Sequence, residues 1–99
     1  MKRPLDKINR AFESRVRLAI MSVLTLNERL DFNTLKESLG VTDGNLATHV
    51  ARLERLRYVK VTKEFVGKKT LTTYELTEGG RKAFLAHVDA LERLIREGA

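Results

Sequence analysis

The chain has 99 residues, which is enough for one domain and too few for a separate catalytic domain beside it. It contains no cysteine, so disulfides, thiolate zinc sites and a cysteine nucleophile are excluded. With 42% hydrophobic residues it is expected to fold, and no apolar run is longer than that of residues 18–21, which is far shorter than a membrane span. No secretory leader is evident. We therefore expect a single cytoplasmic domain over residues 1–99, with no membrane partner.

The charge of the chain is unevenly distributed. Nineteen Lys and Arg against thirteen Asp and Glu give a net charge of +6, which makes a polyanion a leading candidate partner. Residues 52–69 hold seven basic and two acidic residues, whereas the two types are equal in number in residues 77–99. Charges of this size also serve solubility alone. The pattern of elements has to decide between these two interpretations.

The first part of the chain has a helical pattern. Apolar residues keep helical spacing from about residue 5 to 26, which predicts a short helix leading into a longer one, with Ser14 as a cap for the second. Residues 27–31 are polar and leave room only for a stub of strand at 30–32. Asn33 is expected to cap a short helix, which Gly40 ends.

The remainder predicts a helix, a hairpin and a final helix. Thr42 is a natural N-cap for a helix that runs to about Leu56. Residues 58–65 alternate like a strand, residues 67–69 form a turn, and residues 70–76 return antiparallel. Thr77 then caps the last helix, despite Gly79 and Gly80 in its first turn. The side chains expected in the core are Leu46, Val50, Leu53 and Leu56 of the helix, and Val59, Val61, Phe65, Tyr74 and Leu76 of the hairpin.

This order of elements predicts a mainly α fold with a small β-hairpin, the winged helix-turn-helix, in the order α-α-α-β-β-α. The helix-turn-helix covers about 33–56, the wing 58–76, and a long C-terminal dimerisation helix 77–97. In such a motif the first helix braces the second, which enters the major groove of DNA, about 12 Å wide. Double-stranded DNA is therefore the expected partner.

The water-facing side of the second helix carries side chains suited to DNA. Asn pairs with adenine, Arg with guanine or phosphate, and Thr with a base edge or a phosphate. The free N–H groups at the helix start suit a phosphate, and Gly44 either lets a backbone approach there or simply permits the first turn. The candidate DNA-binding residues of this helix are Thr42, Gly44, Asn45, Thr48, His49, Arg52 and Arg55, with His49 on one flank.

The hairpin adds lysines beside this helix. Lys68 and Lys69 lie at its tip, and Lys60 and Lys63 are expected along one edge, from which they reach flanking phosphates or the minor groove. A charged hairpin alone is more often simply solvated. Next to a polar, basic helix, the interpretation as a DNA-binding wing is favoured.

Three runs of the sequence carry a family resemblance: VTDGNLATHVARLERLRYV (41–59), EFVGKKTLTTYELTEGGR (64–81) and ESRVRLAIMSVL (13–24). The chain resembles the small winged helix-turn-helix transcriptional regulators of the MarR/ArsR type, particularly the compact archaeal and bacterial group of about a hundred residues. The resemblance implies a dimeric, repressor-like DNA-binding protein. It places Thr42, Asn45, Thr48, His49 and Arg52 in the DNA-reading helix, and Gly67, Lys68 and Lys69 at the wing tip.

The chain departs from that pattern at a few positions. Ala47 stands where serine is common, and Leu71 and Glu75 replace positions that are often basic. Arg57 stands where a glycine usually closes the helix. It must either adopt a left-handed conformation or extend the helix differently.

The last helix predicts a subunit interface. Phe84, Val88, Leu91 and Ile95 recur at coiled-coil spacing, and Leu85 and Leu94 widen the stripe. Leu5, Ile8 and Phe12 are expected to complete the surface from the other end of the chain. Packing of this stripe within its own domain is the alternative. We expect a homodimer with recognition helices about 34 Å apart, one turn of DNA.

Other functions have less support. His49 and His87 are the only two histidines, so no metal or other cofactor is predicted, and His87 is interpreted as a surface or interface residue. No nucleophile with its base and no phosphate-binding glycine loop is present, so an enzyme is not expected. The predicted function is sequence-specific DNA binding by a homodimeric transcriptional regulator, and the family resemblance implies that this regulator is a repressor. A non-specific chromatin-like binder, a winged helix used for protein contacts, and a small effector between the subunits stay open.

Overall fold

The computed structural model describes residues 4–97 and has the predicted order of elements. Two 3-10 helices, Pro4–Lys7 and Arg10–Phe12, lead into α1 (Arg15–Leu26). The elements that follow are β1 (Leu30–Asp31), α2 (Phe32–Leu39), α3 (Asp43–Arg55), β2 (Val59–Val66), β3 (Lys69–Leu76) and α4 (Glu78–Glu97). The predicted winged helix-turn-helix fold, mainly α with a long C-terminal helix, is confirmed.

The N-terminal segment corrects the prediction of a helix from about residue 5. The chain forms only 3-10 turns before Ser14, because two polar side chains bond to the backbone and end regular structure there. Asn9 Oδ1 accepts from the N–H of Ala11 at 2.9 Å, and Ser14 Oγ accepts from the N–H of Arg17 at 3.2 Å. Ser14 is therefore the N-cap of α1, as predicted.

The cap of α2 was wrongly predicted. Asp31, not Asn33, begins the helix: its carboxylate accepts from the N–H of Thr34 at 3.3 Å and from the Thr34 hydroxyl at 2.6 Å. These hydrogen bonds stabilise the ionised form and lower the pKa of Asp31. At the other end Gly40 has φ 65°, the left-handed conformation expected of a C-terminal glycine.

The strands form one antiparallel sheet in the order β1-β3-β2. Leu30 of β1 pairs with Tyr74, and the register of the hairpin runs from Val59 opposite Leu76 to Val66 opposite Lys69. The hairpin therefore closes through Gly67 and Lys68 alone, with Gly67 at φ 66° and Lys69 already in β3. A two-residue loop with positive φ at its first position suits the twist of the strands.

The core lies between the helices and one face of the sheet. Its fully buried side chains come from α1, α2 and α3, together with one residue of β2: Ile20, Met21, Leu24, Leu35, Leu46, Leu53 and Val59. Leu56 and Phe65 were predicted here and do not belong to it, since they are 42% and 80% exposed. Leu56 follows the last turn of α3, where Arg57 reverses the chain at φ 63°. Phe65 lies in the part of β2 after Thr62, in which every residue is exposed.

Phe12 and Phe84, predicted for the subunit interface, lie in this core instead. Their rings contact each other edge to face, with centroids 5.5 Å apart. His87 packs on Phe12 at 5.2 Å and is only 3% exposed, so its interpretation as a surface residue was wrong. His87 Nδ1 accepts from the N–H of Asn9 at 3.1 Å, which attaches the N-terminal segment to α4.

Packing requires Gly80, the second of the two glycines in the first turn of α4. A Cβ on Gly80 would lie 2.1 Å from the carbonyl oxygen of Tyr58, so only glycine lets the helix approach the end of the α3–β2 connection. Thr77 caps α4 as predicted, accepting from the N–H of Gly80 at 2.8 Å, and its hydroxyl donates to the carbonyl of Arg57 at 2.7 Å. No helix within residues 4–97 is both long and apolar enough to span a bilayer.

Candidate nucleic-acid interface

Local hydrogen bonds fix the start of α3. Thr42 Oγ1 accepts from the N–H of Asn45 at 3.2 Å, the capping bond that the sequence predicted. The carboxylate of Asp43 lies 2.7 Å from Lys36 Nζ of α2, which raises the pKa of that lysine. The ion pair joins the two helices of the motif and compensates the negative charge at the start of α3.

The outer side of α3 is exposed to solvent and is not covered by the described part of the chain. Leu46, Val50 and Leu53 are buried against the core, as predicted. The opposite side exposes the predicted set Asn45, Thr48, Arg52 and Arg55 to solvent. The hydroxyl of Thr48 donates to the carbonyl of Gly44 at 2.9 Å, so its oxygen is left to act as an acceptor toward a partner.

Gly44 lies on the same exposed first turn. A Cβ built at this position would meet no atom of the chain within 4 Å. Packing of the fold therefore does not require glycine at this position, in contrast to Gly80. The open space around Gly44 is compatible with both interpretations of this residue, namely close approach by a partner and a permissive first turn.

His49 lies on the flank of α3 and contacts α1. Its Nδ1 is 3.0 Å from Nη1 of Arg17, and because a guanidinium has only donors, Nδ1 accepts this hydrogen bond. The Nε of Arg17 donates to the carbonyl of Ala11 at 2.7 Å. Burial, followed by the charges of Arg17 and Arg52, lowers the pKa of His49. His49 is therefore a neutral acceptor beside two cations.

Arg17 was missed by the sequence analysis. It precedes a buried stripe of α1 and carries no signal in the helical pattern, since only the crossing of α1 and α3 brings it to His49. Burial and the neighbouring Arg52 lower its pKa. Arg17, His49 and Arg52 form a continuous polar strip, which we call the α1–α3 strip.

The lysines of the wing are all exposed, but not along one line. Lys60 and Lys63 lie on the edge strand β2, where a separation of three residues places them on opposite faces of the sheet. The two lysines thus share one edge strand, as expected, but their side chains project from opposite faces. Lys68 lies in the turn and Lys69 pairs with Val66 at the start of β3.

The carboxylates of the wing are oriented away from its tip by Arg29, a second residue that the sequence analysis missed. Arg29 Nη2 lies 2.9 Å from Glu75 Oε2, and its Nη1 lies 3.8 Å from Glu64 Oε1. Arg29 belongs to the turn between α1 and β1, so only the sheet pairing brings it to the wing. Glu75, which departs from the family pattern, is thus part of an ion pair that holds the wing.

A comparison of the sequence with protein families decides the class. Residues 16–95 match the family model for the winged helix DNA-binding domain. The chain belongs to this family. The predicted resemblance to small winged helix-turn-helix regulators is thereby confirmed.

Similar proteins include an archaeal regulator homologue. The winged-helix chain is 38% identical over 77 residues to an uncharacterised protein of Methanocaldococcus jannaschii, across 78% of this chain and 84% of that one. The transcriptional regulator homologue of Pyrococcus horikoshii has the same fold with a TM-score of 0.87 and 28% identity, over 95% of each chain. Reduced AbfR bound to DNA has a TM-score of 0.74 and 19% identity, over 90% of this chain and 62% of that one, and shares the fold.

The winged-helix protein therefore has the fold and family of DNA-binding transcriptional regulators. In such a fold α3 is the recognition helix and the β2–β3 hairpin is the wing. Within residues 4–97, no group of three or more His, Asp or Glu side chains is placed to hold a metal ion.

Proposed function

We propose that this protein binds specific sequences of double-stranded DNA as a homodimer, represses transcription by covering its site, and has no catalytic role. The observation that carries the proposal is the outer side of α3. It combines an amide, a hydroxyl and two guanidinium groups, all exposed, and the carboxylate at its start is paired with Lys36. Such a side can read base edges as well as hold phosphates.

The surroundings of α3 supply positive charge. The α1–α3 strip adds Arg17 on one flank, and the wing adds Lys63, Lys68 and Lys69. The wing carboxylates Glu64 and Glu75 are oriented toward Arg29. A surface of this composition attracts the DNA backbone, while the side chains of α3 supply sequence preference.

The outer side of α4 supports the homodimer. With Phe84 in the core, the exposed apolar residues follow steps of three, three and four along the helix: Leu85, Val88, Leu91 and Ile95. Ile95 is 83% exposed, and Leu5 at the other end of the chain is exposed too, while Ile8 is half-buried. An apolar stripe of this length on a water-facing helix is typical of a subunit interface.

The test begins with selection of bound duplexes from a random pool by the full chain. Asn45→Ala and Arg52→Ala are expected to weaken binding to the selected sequence by about 1 to 3 kcal/mol and to affect random duplex far less. The double variant K68A/K69A is expected to weaken binding to both and to lower the salt slope by about one per lost phosphate contact. Lys82→Ala, a cation on α4, is the control and should change neither.

Three other outcomes have distinct meanings. Equal affinity for selected and random duplex would favour a non-specific chromatin-like binder. No binding to any duplex would favour a winged helix used for protein contacts. For the dimer, sedimentation should show two subunits, and Val88→Glu should convert them to folded monomers; a monomeric wild type at tens of micromolar would contradict this part of the proposal.

Repression follows from the size of the bound dimer. Two half-sites one turn apart occupy about 20 base pairs, enough to exclude a polymerase from an overlapping promoter. A reporter with the selected sequence across its promoter should lose expression when the protein is present. Expression that rises instead would contradict repression without contradicting DNA binding.

A further inference from the structure

The tip of the wing carries apolar side chains that the fold does not use. Phe65 is 80% exposed and Val66 is 60% exposed, directly before the turn at Gly67 and Lys68. Because side chains alternate along a strand, the two project from opposite faces of the hairpin, and the ring of Phe65 lies in solvent at its most projecting end.

Phe65 continues the core-facing side of β2 beyond the core. Side chains alternate along a strand, so Val59, Val61, Lys63 and Phe65 share one face. Val59 is buried and Val61 is half-buried, but every residue of β2 after Thr62 is exposed. Phe65 lies three residues beyond Thr62, the last half-buried residue, which is roughly 10 Å along the strand. Phe65 is therefore at the end of an arm and not on a side of the core left open by chance.

The charges around this apolar tip indicate what it meets. Lys63 shares the face of Phe65, Lys68 lies in the turn, and Lys69, paired with Val66, lies on the other face. The neighbouring carboxylate, Glu64, lies 3.8 Å from Arg29. An apolar side chain with cations on both faces of its hairpin is complementary to a surface that presents phosphates around an apolar interior. The minor groove of DNA has this composition, with phosphates on both rims and stacked bases at the floor.

The width of the minor groove limits how much of the hairpin can enter. The axes of the two strands already lie about 4.8 Å apart, so the full ribbon is too wide for a groove about 6 Å wide and 7.5 Å deep. Only the two-residue turn and the last side chains can enter, which are Phe65, Val66 and the neighbouring lysines. With α3 in the major groove, the adjacent minor groove is the surface within reach of an arm of this length.

We propose that Phe65 is a minor-groove wedge: its ring inserts at a base step when α3 occupies the neighbouring major groove, while Lys63, Lys68 and Lys69 hold the phosphates on either side. Apolar wedges of this type partly unstack a step and distort the duplex, so they favour sequences that deform easily. This inference rests on the proposed DNA binding and adds a specificity residue that makes no hydrogen bond.

The test compares Phe65→Ala with wild type on a mixed-sequence duplex of about three helical turns over a series of salt concentrations. Phe65→Ala should lower the affinity roughly tenfold at every salt concentration and leave the salt slope unchanged, because no phosphate contact is lost. Lys68→Ala should also lower the affinity, but it should reduce the salt slope by about one, because a phosphate contact is lost. Phe65→Leu, which keeps an apolar wedge, should retain most of the affinity.

Leu26→Ala is the matched control, since Leu26 is 85% exposed at the end of α1 and distant in sequence from the wing. It should bind duplex as wild type does. Thermal unfolding of Phe65→Ala should equal that of wild type, because the side chain makes no core contact. A second measurement relaxes a plasmid with topoisomerase in the presence of each protein at equal occupancy. Wild type should change the linking number of the plasmid, and Phe65→Ala should not.

The outcomes separate this inference from the proposed function. If wild type binds duplex with a salt slope but Phe65→Ala has the same affinity and the same effect on plasmid topology, the wedge is overturned and DNA binding stands. If wild type binds no duplex, both are overturned. Vesicles containing phosphatidylserine test the rival membrane partner: loss of vesicle binding in Phe65→Ala with unchanged duplex binding would overturn the wedge in favour of a lipid surface.

Discussion

Helices α3 and α4 each bury one side in the same core and present chemically different outer sides. The outer side of α3 exposes Asn45, Thr48, Arg52 and Arg55, whereas that of α4 exposes Leu85, Val88, Leu91 and Ile95. Each helix also contains one histidine, half-buried in α3 and buried in α4. Each has glycine in its first turn, which meets open space at Gly44 of α3 and the Tyr58 carbonyl at Gly80 of α4. An inner stripe therefore shows only that a helix packs, while the outer side indicates the kind of partner it meets: a polyanion for α3 and an apolar surface for α4.

The largest expected effect separates the two sides of α4. Phe84→Ala should destabilise the fold by about 3 to 5 kcal/mol, because it removes a buried ring that packs on Phe12. Leu85→Ala, its neighbour on the exposed side, should cost less than about 1 kcal/mol in the monomer. Denaturant unfolding at several protein concentrations measures both. The stability lost in Phe84→Ala, relative to wild type, should not depend on protein concentration. If the stability lost in Leu85→Ala grows with protein concentration, Leu85 lies in the dimer interface.

The first turns of the two helices should respond oppositely to alanine. Gly80→Ala places a Cβ against the Tyr58 carbonyl, a backbone atom that no rotamer change can relieve, and should cost about 3 kcal/mol or more. Gly44→Ala meets open space and should stabilise the fold by about 0.5 kcal/mol through the unfolded chain. Equal melting temperatures for the two variants would contradict the close approach of α4 to Tyr58. A drop in duplex affinity for Gly44→Ala alone would show that a partner comes close to this turn.

The stability of the protein should fall as the pH falls below about 6.5, the pKa of an unfolded histidine. Burial lowers the pKa of His87, an effect that Glu13 opposes in part. At a pH between the two pKa values, the unfolded chain thus binds more protons than the folded one. The free energy of unfolding therefore decreases as the pH falls from about 6.5 toward the lower pKa of His87 in the folded protein. Protonation also removes the acceptor for the N–H of Asn9. Denaturation curves measured between about pH 8 and pH 5 give the free energy of unfolding at each pH. This free energy should depend less on pH in His87→Gln than in His49→Gln.

The smallest expected effect concerns the histidine of α3 and has the opposite sign. Arg17 and Arg52 help burial to lower the pKa of His49, and DNA phosphates beside them would offset their charge. Duplex binding should then be linked to proton uptake, and affinity should rise as the pH falls from neutral. Fluorescence anisotropy at constant ionic strength, well below the unfolding temperature, measures this. His49→Gln should lose the rise and His87→Gln should keep it; a rise that persists in His49→Gln would place the titrating group elsewhere.

Local patterns were sufficient for the order of the elements from α1 onward and for the outer side of α3. The sequence identified three N-caps correctly: Ser14, Thr42 and Thr77. In each case a short hydroxyl side chain accepts from the N–H three residues later, which is a local signal. The inner stripe of α3 followed from helical spacing, up to Leu53. Asp31 was missed as the cap of α2 because Asn33 two residues later offers the same chemistry, and spacing does not separate them.

The order of elements, the buried stripe of α3 and the concentration of positive charge in residues 52–69 were thus determined by the sequence itself, since each depends on neighbours within a few positions. Only the tertiary structure decided which apolar residues stay in water. It buries three side chains together, Phe12, Phe84 and His87, whereas Phe65 is exposed at the end of the wing. It also brought Arg17 to His49 and Arg29 to Glu75. These outcomes depend on where elements distant in sequence cross, and periodicity contains no information about that geometry.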